Sequence, residues 1–108
     1  MIDWSRVQDL RSEVGPDDFG AIVAVFLQEA DEVVGRLMSL SDPSAIENDL
    51  HFLKGSALNL GFAKLAQVCQ SGEIQAASGA TDVAMQTVVD AYHQSRSVFL
   101  DGIKAQVA

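Results

Sequence analysis

The chain has 108 residues, 48% hydrophobic but only 6% aromatic, with two prolines, and this composition fits one all-α domain better than a sheet protein. Its net charge of −8, from 15 acidic and seven basic residues, leaves no basic stripe for nucleic acid and disfavours an anionic membrane surface. No apolar run is long enough to cross a bilayer, Met1-Ile2-Asp3-Trp4 lacks the regions of a signal peptide, and the single cysteine, Cys69, allows neither an internal disulfide nor metal-site spacing, so a cytoplasmic location is expected.

Asp3 can cap a first short helix over about residues 4–13, where Trp4, Val7, Leu10 and Val14 recur at steps of three and four. Gly15-Pro16-Asp17-Asp18 breaks the chain and starts a second helix, expected over about 16–40. Phe19, Ile22, Val23, Phe26, Leu27, Ala30, Val33, Val34, Leu37 and Leu40 give it one broad buried face. Ser41-Asp42-Pro43-Ser44 is a turn with a cap, leading into a third helix over about 44–60. Gly61 ends it. A fourth helix is expected over about 62–78, with Phe62, Leu65, Cys69 and Ala76 inward, Ala66 and Ile74 near them, and Ser71-Gly72 as a weak spot. Thr81 is a candidate cap for a fifth helix over about 82–106, with Met85, Val88, Val89, Tyr92, Phe99 and Ile103 inward and Gly102 fraying its end. Short connections between long helices predict an up-and-down antiparallel four-helix bundle with a short extra N-terminal helix, all in a single domain over 1–108.

The third helix carries the chemistry. Ile46, Leu50, Leu53, Ala57 and Leu60 occupy a narrow arc facing the core. At about 100° per residue, His51 lies roughly 140° from the centre of that arc and Gly55 roughly 180°. Leu58 shares the outer face with His51, and Lys54 flanks its boundary. A glycine inside a helix costs roughly 1 kcal/mol against alanine, so Gly55 points to a close approach by something else. An unprotonated imidazole nitrogen is a competent nucleophile towards phosphorus. Lys54, one turn on, can place an ammonium beside phosphoryl oxygens, and Leu58 offers a dry contact patch. Glu47, one turn before His51, reads as a solvated side chain.

The run His51-Phe52-Leu53-Lys54-Gly55-Ser56-Ala57-Leu58-Asn59-Leu60-Gly61 resembles the motif of histidine-containing phosphotransfer (HPt) domains, through His51, Leu53, Lys54, Gly55, Ser56, Asn59, Leu60 and Gly61. Leu65 and Cys69 also resemble the family's following helix. The resemblance implies that His51 accepts a phosphoryl group from a receiver-domain aspartate or a hybrid sensor histidine kinase and passes it to a response-regulator receiver. It further implies that Lys54 steadies the group, that Gly55 leaves room for the receiver, and that any Mg²⁺ belongs to the receiver. No cofactor or metal of its own is expected, nor an ATP-binding segment: a phosphocarrier, not a kinase, and a monomer. Two departures stand out. Gly72-Glu73 replaces the pair Leu-Glu common in the family, which is expected to loosen packing. Phe62 replaces an alanine, as in the phosphotransfer domain of chemotaxis-type kinases, and leaves the subfamily open.

Other readings compete. The bundle can be an interaction module that binds a receiver or kinase without carrying phosphate. A hydrolytic site finds little support, because the acidic residues near 29–32 and 47–49 read as solvated faces. His93 belongs to no motif and reads as a surface or boundary residue. Lys64 either extends a basic, partner-binding spot beside Lys54 or is simply solvated.

Overall fold

Caps and breakers set the helix boundaries. In the computed structural model, which describes residues 1–80 and 82–107 (the side chains of 105–107 excepted), five helices follow one another. They are α1 (Trp4–Val14), α2 (Pro16–Leu37), α3 (Pro43–Leu60), α4 (Ala63–Ala77) and α5 (Met85–Val107). Asp3 caps α1, its carboxylate accepting from the Arg6 amide at 3.3 Å. Asp42 caps α3 through the Ser44 amide, with Pro43 in the first turn where no amide hydrogen is needed. Gly61 closes α3 at φ 78°, a left-handed conformation that a side chain would strain, and its carbonyl accepts from the Asp3 amide at 2.7 Å. The described residues contain no strand, only an isolated bridge between Ile2 and Phe62.

This is an all-α helical bundle of α2–α5 with α1 as the extra N-terminal helix. Cross-helix contacts run in opposite directions along neighbouring helices. On α3, His51 meets Glu73 and Lys54 meets Gln70, so α4 descends as α3 ascends. Arg36 grips Asp49 through two 2.8 Å bonds and ties α2 to α3. Tyr92 ties α5 to α2, donating to the Asp31 carboxylate beside the Leu27 carbonyl. Burial, and next the Asp31 carboxylate, push its phenol well above the usual range. One continuous core draws on every helix, with Leu37, Ile46, Leu50, Leu53, Ala57, Phe62, Cys69, Tyr92 and Phe99 fully inaccessible. Burying one such large side chain contributes about 1.5–3 kcal/mol. The Cys69 thiol is a small apolar filler there, and burial pushes its pKa up to about 12.

Several local expectations change. The helix expected over 16–40 ends at Leu37, and residues 38–40 form a tighter turn through the Ser39 and Leu40 amides. The fifth helix starts at Met85 because Val83 is buried in the connection, against α4. The Thr81 cap lies outside the described residues. Ile74 is 60% exposed, because it projects well away from the side of α4 that carries Leu65 and Cys69. Gly72 is a buried contact rather than a weak spot. A Cβ there would sit 2.7 Å from Leu50 Cδ1 and 3.1 Å from Val83 Cγ1, so the missing side chain lets α3 and the α4–α5 connection close in. Nor does Gly102 fray the last helix, which continues to Val107. Its bare backbone receives the Trp4 indole, which stacks on Phe99 with centroids 6.1 Å apart, while Phe99 meets Phe62 edge-on at 5.2 Å.

Helix propensity and packing make opposite predictions at Gly102. Propensity alone would have Gly102→Ala stabilise by up to about 1 kcal/mol. Overpacking against the rigid indole should instead cost about 1–3 kcal/mol, measured by denaturant unfolding and accompanied by a change in Trp4 fluorescence.

Candidate functional site

The inward arc of α3 is fully buried at Ile46, Leu50, Leu53 and Ala57, so the opposite arc must face solvent. His51 lies on it with a side chain 69% exposed. Gly55 is exposed, and a Cβ built on it would meet nothing within 4 Å. The glycine is therefore not demanded by any contact within the described residues. Leu58, one turn further, is 58% exposed. Lys54 is mostly covered, because its stem runs towards α4. Ser56 is buried because it lies beside the Ala57 and Leu60 arc.

What organises these side chains comes from α4. The Glu73 carboxylate binds both of them. One oxygen lies 2.6 Å from His51 Nδ1, and the other 2.8 Å from Lys54 Nζ. Lys54 Nζ also donates to Gln70 Oε1 at 2.8 Å. The Lys54 bond, followed by the His51 bond, holds the Glu73 carboxyl below its usual range in spite of partial burial. Glu73 is thus a carboxylate at neutral pH and can only accept. The neutral imidazole must then carry its proton on Nδ1, which leaves the Nε2 lone pair unprotonated. Nε2 has no hydrogen-bond partner among the described residues. The arrangement presents one nucleophilic nitrogen on an exposed helix face, with an ammonium one turn away and a fixed anion behind the ring.

His51, Lys54, Gly55 and Leu58 thus share one face of α3. Lys64 does not join them. It lies in the first turn of α4, nine residues before Glu73, and about 100° per residue turns it to the far side of that helix. There it lines a groove with Gln67, Ser71, Val83 and Thr87, between α4 and α5. Glu47 makes no bond to the imidazole among the described residues, and the carboxylate that orients the ring is Glu73. Glu73 and Gln70 escaped the sequence reading as partners of the site. The available signal was Glu73 itself, an acidic residue next to a glycine that packs on Leu50, the neighbour of His51. Asn59 receives Arg6 through its carbonyl at 3.2 Å and its side-chain oxygen at 3.4 Å, which ties α1 to the end of α3. His93 is exposed and packs edge-on against Tyr92, away from the site. Among the described residues no group of three or more His, Cys, Asp or Glu is placed to hold a metal ion, and no helix is long and apolar enough to cross a membrane.

Two measurements follow from the Glu73 bridge. Because its folded carboxyl is held low, its contribution to stability is complete above the unfolded carboxylate value of about 4.3 and fades as pH falls through the folded one. Glu73→Gln should therefore flatten the acid limb of the stability–pH profile below about pH 4.3, seen by urea unfolding across that range. Glu73→Ala should also let the neutral ring redistribute towards the Nε2–H tautomer, read from imidazole nitrogen shifts by NMR.

Among family models, the Hpt domain matches residues 21–98, which is most of the chain and includes all of α3 and α4 and the greater part of α2. No curated protein and no solved structure gave a match. The family match agrees with the helical bundle, and the chain belongs to the Hpt domain family, whose members are phosphocarriers of two-component signalling rather than kinases.

Proposed function

We propose that the protein is a phosphorelay intermediate that carries a phosphoryl group on His51 Nε2. One observation carries this reading: the Glu73 carboxylate accepts from Nδ1 and so points the free lone pair of Nε2 to solvent. In the forward step, the Nε2 lone pair attacks phosphorus of a receiver's aspartyl phosphate. The N–P bond forms as the acyl P–O bond breaks, and the aspartate leaves as a carboxylate. The ring now bears positive charge, its Nδ1 proton still facing Glu73, so the charge develops beside a fixed anion. A second receiver's aspartate reverses these bond changes and takes the phosphoryl group away.

Lys54 works from the flank. Glu73 and Gln70 hold its ammonium one helical turn from the imidazole, within reach of oxygens on a group attached there. Gly55 and Leu58 belong to the surface that a receiver covers. Lys64, on the far side of α4, is not assigned a role in that surface. The relay partners are response-regulator receivers and a histidine or hybrid sensor kinase, and the chain acts in the cytoplasm as a monomer whose residues 1–108 fold as one domain.

Incubation with a receiver domain charged by acetyl phosphate should transfer an acid-labile, alkali-stable label to the wild-type protein and none to His51→Gln. A label retained by His51→Gln would place the acceptor elsewhere, and an unlabelled wild-type protein would favour a binding module that carries no phosphate. Lys54→Ala should slow transfer about 10- to 100-fold while shifting stability by no more than about 1 kcal/mol, as a mostly covered but surface-anchored ion pair allows. Equal losses of both would remove Lys54 from the chemistry.

A further inference from the structure

The two flanks of His51 differ. Going round α3 at about 100° per residue, Lys54 lies roughly 60° to one side of His51 and Gly55 roughly 40° to the other, with Phe52 about 60° beyond Gly55. On the Lys54 side, α4 closes the approach with Gln70 and Glu73. The other side is open: no atom comes within 4 Å of a Cβ built on Gly55, and beyond it the Phe52 ring is 42% exposed. Phe52 lines a groove of about 330 Å³ between α2 and α3, together with Glu29, Glu32, Val33, Arg36 and Asp49. Arg36 is committed to Asp49 by its two 2.8 Å bonds. Glu29 and Glu32 are exposed and have no ion-pair partner among the described residues. Val25, one turn before Glu29 on α2, is also exposed. Next to the open flank of the nucleophile, then, sits an aromatic ring walled by two exposed carboxylates, of which Glu32 also feels the field of Arg36 while Arg36 itself is bonded to Asp49.

We infer that the receiver docks over Gly55 from the α2 side, seating a lysine or arginine side chain in the groove between Glu29, Glu32 and Phe52. The inference rests on the carrier reading of His51. Charge complementarity selects the occupant. A long basic side chain can lay its stem or its cation against the Phe52 ring while its charge meets the two carboxylates. A second copy of this chain, with its net charge of −8, would bring acid to acid. The same contact offsets a general difficulty. An acidic carrier must bring its histidine to a partner's aspartyl phosphate, and a local attraction beside the reacting atoms steers that encounter.

The test uses the whole protein and the charged receiver domain of the source organism that transfers fastest to it. Glu29→Lys/Glu32→Lys should lower the second-order transfer rate constant about tenfold at low salt and flatten its decline with added salt. Phe52→Ala should lower it several-fold on its own. Asp82→Lys/Asp90→Lys, which makes the same change in net charge elsewhere, should leave the rate within about twofold. Labelling of His51 by phosphoramidate, which gives up its phosphoryl group with release of ammonia and needs no docking, should be equal in all of these proteins. Equal receiver rates in the wild type and Glu29→Lys/Glu32→Lys would overturn the docking site while leaving the carrier reading intact. So would an equal loss in Asp82→Lys/Asp90→Lys, or a wild-type dimer in light scattering that Glu29→Lys/Glu32→Lys dissociates. A wild-type protein that takes no label from either donor would overturn the carrier reading, and the docking site with it.

Discussion

A single carboxylate holds the site together. Glu73 reaches across from α4 and binds the His51 imidazole with one oxygen and the Lys54 ammonium with the other. An exposed histidine on an isolated helix would sample several rotamers and both tautomers. Here the ring has a fixed proton and a fixed direction. The bridge also determines what Lys54 is free to do, since its ammonium is held by Glu73 and Gln70 before any ligand arrives. The charge-assisted bonds are short and partly covered, a setting in which they order side chains more than they stabilise the fold.

That bridge depends on how closely α3 and α4 approach. The approach is set one residue away from each partner, at Leu50 and Gly72. Any side chain at position 72 would collide with Leu50 or Val83, so the absent Cβ is what allows the contact. The buried arc of α3, the bare Gly72 and the polar bridge therefore form one unit: apolar packing brings the helices together, and the polar pair at the rim uses the resulting distance. Elsewhere the same logic operates at the end of the bundle, where Gly102 takes in the Trp4 indole and so fastens α1 to α5.

Much of the architecture could be read from the chain. Residues at steps of three and four gave the five helices, and local caps and breakers such as Asp3, Pro16, Pro43 and Gly61 placed several of their ends to within a residue or two, because they act over a single turn. Val83 was harder, since its burial depends on a neighbouring helix and stops α5 from starting earlier. Ile74, Gly72 and Gly102 depart from what their local pattern predicts for related reasons. An apolar residue does not announce which face it takes, and a glycine reads the same way whether it weakens a helix or admits a neighbour.

By itself the sequence determined that His51, Gly55 and Leu58 share the outer face of a helix whose other face is buried, because the rotation per residue fixes direction within one helix. It also determined the family, through the run from His51 to Gly61. Only the tertiary structure decided which residues stand behind that face. Glu73 and Gln70 lie 22 and 16 residues along the chain from their partners, and no local pattern sets the register between two helices. That register comes from the packing of Leu50 on Gly72, and it turns an outward histidine into an oriented one. The same packing leaves Lys64 on the far side of α4, a choice between a spot beside Lys54 and simple solvation that spacing alone leaves open.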